Sequence, residues 1–83
     1  MKNKIIRQIK NNKGTEILLV CDEGRNVIRK EKAIIREIYN SIFVLDVYKE
    51  NSGVQRESYN YADLITKVIQ LLTPNGNDAL ITV

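Results

Sequence analysis

Five side chains carry what chemistry this chain offers: Arg25, Arg29, Arg56, Tyr59 and Tyr61. Arginines beside exposed tyrosines make a surface that binds another molecule, through planar charged contacts and stacking. The pieces of an active site are harder to find. There is no histidine, so the usual proton carrier near neutral pH is missing. The ten acidic residues show no paired arrangement, and the chain lacks a zinc-type cysteine–histidine cluster and a phosphate-cradling glycine pattern. Asp22-Glu23-Gly24 has no spaced acids and no closing glutamate, so it reads as a turn and not as a calcium loop. The single cysteine, Cys21, lies in the apolar run EILLVCD and reads as a small core residue. The expectation is a non-enzymatic binding protein with no catalytic residue, no metal and no cofactor.

Charge is unevenly spread. Lys2, Lys4, Arg7, Lys10 and Lys13 form a basic arm with no acid among residues 1–14. The other eight basic residues and all ten acids follow it, so the body is slightly acidic. Such an arm suits a polyanion or an acidic protein face; the plainer reading is the solvated side of a short helix. Tyr59 and Tyr61 have a plain reading too, with one ring in the core and the other at its rim. No apolar run approaches bilayer length and no apolar stretch follows the basic start, so a cytoplasmic location without a membrane partner is expected.

The elements that would position these residues are short. Ile5, Ile6 and Ile9 make an apolar stripe on a helix over residues 2–11, which is too short to stand alone and must dock. Gly14 suits its left-handed end. Glu16–Asp22 reads as a strand closed by a turn at Gly24. Residues 25–39 read as two strand halves with a kink near Glu31–Ala33, because no capping residue opens a helix there. SIFVLDVYK is a strand with Phe43, Leu45 and Val47 on one side and Ile42, Val44, Asp46 and Tyr48 on the other. ENSG turns the chain into VQRESYNY, whose alternation puts Tyr59 and Tyr61 on one face and Arg56 on the other. Ala62-Asp63-Leu64 fits one 3₁₀ turn that drops Leu64 into the core, and TKVIQLL is the last strand.

This order predicts a mainly β domain: a small SH3-like barrel of about five antiparallel strands, with a short N-terminal helix and a 3₁₀ turn before the last strand. The helix would occupy residues 1–12 and the barrel 13–73. Residues 74–83 would form a tail that dangles or adds to an open strand edge.

Three stretches carry a family resemblance. Gly24-Arg25, then YNSIFV at Tyr39–Val44, then R-x-S-Y-x-Y-A-D-L-I-T from Arg56 to Thr66 resemble the Veg family of small bacterial proteins, with intervals that fit without gaps. The chain departs from the family pattern at Asn26-Val27, where a basic cluster usually continues. It departs also at Asn40 for proline, Ala33 for glycine and Ile65 for leucine. The resemblance implies an SH3-like barrel and a regulatory role: stimulation of biofilm formation by countering a transcriptional repressor of matrix genes. The implied partner is that transcription regulator. A nucleic acid held by the basic arm and the tyrosines is the alternative partner, and a homodimer is the third.

Overall fold

The computed structural model describes residues 2–82. The chain opens with helix α1 (Lys2–Asn11) and continues through strands β1 (Glu16–Asp22), β2 (Ile28–Ile38), β3 (Ile42–Lys49) and β4 (Gly53–Asn60). A single helical turn, α2 (Tyr61–Ile65), leads into β5 (Ile69–Leu72). The strands form one antiparallel sheet in the order β4-β3-β2-β1-β5. Four strands therefore meander, and the fifth returns to the first, as the SH3-like reading requires.

The curl of the sheet comes from β2. Its first half pairs with β1 and its second half with β3, and the two sets of partners overlap at Ala33 and Ile34. No break separates the halves, so the expected kink at Glu31–Ala33 is instead a continuous strand changing partners. The irregularity lies further on, where the register shifts between Ile35 and Glu37 and Arg36 is the extra residue. A bulge of this kind bends and twists the strand without interrupting it.

Alternation sends Ile17, Leu19 and Cys21 inward from β1, Ala33 and Ile35 from β2, and Phe43, Leu45 and Val47 from β3. Helix α1 covers one end of this core. Ile5 and Ile9, one turn apart, are fully buried there. Gly14, at φ 82°, ends the helical stretch in the left-handed region, and its N–H donates to Ile35 O at 2.8 Å, tying the helix to β2.

Two further details differ from the sequence expectation. The corner before the last strand is a turn of α-helix and not of 3₁₀, because the Thr66 N–H reaches back four residues to Ala62 O at 2.9 Å. The last strand starts at Ile69, since Lys67 takes a left-handed φ of 63° and Val68 is exposed. Leu64 does enter the core.

The segment after β5 folds back. Leu72 and Ala79 form a bridge, the Leu80 N–H donates to Leu71 O at 2.9 Å, and Ile81 is buried. The Gln8 side chain then pairs with the Thr82 backbone, accepting from its N–H at 2.9 Å and donating to its carbonyl at 2.8 Å. Residues 79–82 thus cover the β5 edge and reach α1.

Candidate functional site

Charged residues occupy the end of the barrel away from α1. On β2, Arg29 and Glu31 share the inward alternation of Ala33 and Ile35; Lys49 extends the inward series of β3, and Glu57 and Tyr59 that of β4. There the inward positions are charged where elsewhere they are apolar. Lys49 Nζ lies 2.9 Å from Glu31 Oε1 and 3.1 Å from Glu57 Oε2. Arg29 Nη1 is 3.1 Å from Glu23, while its Nε faces Glu31 at 3.0 Å as a charge contact without hydrogen-bond alignment. Arg29 Nη2 points at Cys21 Sγ, 3.6 Å away, and the Tyr59 hydroxyl donates to Glu57 Oε1 at 2.5 Å.

These contacts set the charges firmly. Burial works to raise the Glu57 carboxyl, but the hydrogen bonds from Tyr59 and Lys49 outweigh it and hold it below its ordinary range. Burial works to lower the Lys49 ammonium, and Glu31 and Glu57 outweigh that and push it up. Burial, then the bond to Glu57, raises the Tyr59 phenol. The acid is thus more acidic and the bases more basic than usual, the reverse of groups poised for proton transfer near neutral pH.

Tyr59 and Tyr61 flank Phe43. Ring centroids lie 6.0 Å apart for Tyr59 and 5.4 Å for Tyr61, both tilted, as aromatic neighbours prefer. Tyr59 is half-buried and Tyr61 is buried. The Tyr61 hydroxyl donates to the carbonyls of Tyr39 and Ile42, the latter at 3.1 Å, and so pins the β2–β3 turn to α2.

The remaining candidates stand on the outside. Arg56 lies on the outward face of β4, opposite Asp46 of β3. Asp46 Oδ2 is 2.6 Å from Arg36 Nε, and its Oδ1 is 3.4 Å from Arg56 Nε. The hydrogen bond from Arg36 is the chief reason that the Asp46 carboxyl is held low. Arg25 sits in the β1–β2 loop, where Gly24, Arg25 and Asn26 all have positive φ and the Asp22 carboxylate accepts from the Gly24 N–H at 2.9 Å. Lys2, Lys4, Arg7 and Lys10 are exposed on α1 and Lys13 just after it; none of the five is in an ion pair among the described residues. Tyr39 in the β2–β3 turn and Tyr48 and Val54 on the outward face of β3 and β4 are exposed at 52%, 42% and 55%, and Ile28, outward on β2, at 59%.

The structure therefore brings Arg29 and Tyr59 together at the barrel mouth, puts Tyr61 in the core, and leaves Arg25, Arg56 and the basic arm apart on the surface. Glu31, Lys49 and Glu57 were missed in the sequence. Their signal was available: each is a charge at the inward position of its strand. Where β2 and β3 splay, a hollow of about 450 Å³ opens between Lys30, Lys32, Tyr48, Lys49 and their neighbours. Among the described residues no group of three or more histidine, cysteine or acidic side chains could hold a metal ion, and no helix is long and apolar enough to cross a membrane.

A family model described as "Biofilm formation stimulator VEG" matches residues 2–72. No curated protein matches the chain.

Proposed function

The chain belongs to the Veg family of biofilm formation stimulators, and from that membership we propose a cytoplasmic, non-enzymatic regulator that works by contact with a protein, namely a transcriptional repressor of matrix genes. The single observation that carries the reading is the pairing at the barrel mouth. Lys49 and Glu57 satisfy each other and are driven away from neutral titration, so this polar cluster braces a fold and does not process a substrate. The residues left to meet a partner are outward ones: Arg25 at its loop, Arg56 on β4, and the exposed rings of Tyr39 and Tyr48. Arginine and tyrosine are the types that anchor protein interfaces. Arg29 and Tyr59 contribute at the mouth, where their visible edges remain half-exposed, and Tyr61 acts from within by fixing the β2–β3 turn.

A second reading, nucleic-acid binding, is favoured by the arm. Lys4, Arg7 and Lys10 lie on the side of α1 away from buried Ile5 and Ile9, with no acid on the helix. Tyr59 and Tyr61 are engaged around Phe43, so such binding would rest on phosphates more than on stacking at these two rings.

Affinity capture from the host, with and without nuclease, tests the two. Recovery of one transcription regulator regardless of nuclease is expected. Recovery that nuclease abolishes, together with binding that weakens steeply with salt, would replace the first reading by the second.

A further inference from the structure

The two edges of the sheet are treated differently. At β5 the returning chain supplies the Leu72–Ala79 bridge and the bond from Leu80 N–H to Leu71 O. At β4 nothing does so. Gly53–Asn60 is the outer strand of the order, its ladder runs to β3 alone, and apart from Asn60, which caps α2, no backbone group of this strand bonds elsewhere among the described residues. Its first four residues are exposed, and it holds no proline and no bulge. A straight eight-residue edge with free donors and acceptors is a template for another strand.

We propose that this edge pairs with β4 of a second copy of the chain, forming a two-fold dimer with a continuous sheet. A two-fold axis normal to the sheet makes the added pair antiparallel and keeps outward residues opposite outward residues. Only registers centred on one residue then remain, and the side chains choose among them. Centring on Arg56 or on Glu57 sets like charges face to face. Centring on Ser58 drives the partner strand into α2, which starts at Tyr61. Centring on Val54 overlaps the strands over three residues only, because β4 starts at Gly53. Centring on Gln55 is left. It overlaps residues 53–57, sets Val54 against Arg56 of the other copy and Glu57 against Gly53, and opposes no like charges. The arginine stem then lies over exposed Val54, next to Tyr48, its neighbour across β3.

Gln55 faces its own counterpart in this register and is exposed in the single chain, so the test uses it. The wild-type chain should have a solution mass of twice 9.6 kDa in sedimentation or light scattering. Gln55→Arg and Gln55→Glu should each run as monomers with unchanged circular dichroism, and their equimolar mixture should return to the dimer mass. Gln55→Cys gives an independent readout: opposed Cα atoms about 5 Å apart suit a disulfide, so air oxidation should yield a crosslinked dimer. A wild-type chain that stays at 9.6 kDa at ~100 μM overturns the proposal and leaves the edge to a strand from another protein. Single variants that remain dimeric, or a cysteine variant that does not crosslink, overturn it as well.

Discussion

Lys49→Met separates a structural bridge from a decorative one. Lys49 is 15% exposed and holds two carboxylates, Glu31 at 14% and Glu57 at 23% exposure. Breaking a fully buried pair costs about 3–5 kcal/mol, and breaking an exposed one less than about 1 kcal/mol. Neither carboxylate is stranded by the change, since Arg29 still faces Glu31 and Tyr59 still donates to Glu57. Methionine also keeps the apolar stem packed. The expected loss at pH 7 is therefore about 1–2 kcal/mol, worth roughly 4–8 °C in Tm for each kcal/mol in a domain of this size. The pH dependence identifies the cause. Glu57 has a depressed folded value, so its contribution is complete above its ordinary value of 4.5 and is lost as pH falls through the lower folded value. The gap between wild type and variant should accordingly shrink as pH falls below 4.5 through that lower folded value, where Glu57 loses the charge that faces Lys49. Urea unfolding at pH 7 and pH 3.5 measures this without the ionic screening that guanidinium brings. An equal gap at both values would refute the pairing and leave packing as the role of Lys49. Arg56→Met is the control: its ion pair is far more exposed and its loss should barely move the midpoint.

Three further outcomes are expected. Ile9→Ala empties a fully buried position under α1 and should cost about 2–4 kcal/mol by urea unfolding; an unchanged midpoint would mean that α1 does not hold its place in solution. Tyr61→Phe removes the hydroxyl that serves the Tyr39 and Ile42 carbonyls and should cost about 1–2 kcal/mol, with faster amide exchange at the β2–β3 turn. Truncation after Thr73 uncovers the β5 edge and should shift light scattering towards species larger than the full-length chain forms; an unchanged mass would show that the tail shields nothing.

What could be read beforehand follows from the range of the interactions involved. Helix α1 and strands β1 and β3 have their period written locally, with Ile5 and Ile9 one turn apart and Phe43, Leu45 and Val47 alternating. The bulge at Arg36 has no local mark, since a bulge exists only relative to the partner strand. The side chains of Thr66, Lys67 and Val68 suit a strand and extend the β5 pattern three residues too far, whereas the backbone bond from Thr66 to Ala62 ends a helical turn there. The candidate tyrosines were placed by their alternation, yet Tyr61 was held by carbonyls 19 and 22 residues away. The mouth cluster was legible only in part. Arg29 stood out by type, while Glu31, Lys49 and Glu57 look like ordinary solvated charges until the strands set them side by side.

The returning tail has a consequence for stoichiometry. A sheet with two open sides has a valence of two and can add copies without limit, as fibres do. With Ala79–Leu80 on the β5 side, a chain that pairs through β4 has a valence of one, and growth through that pairing stops at the first addition. Ten residues of return path thereby decide between a countable complex and a filament.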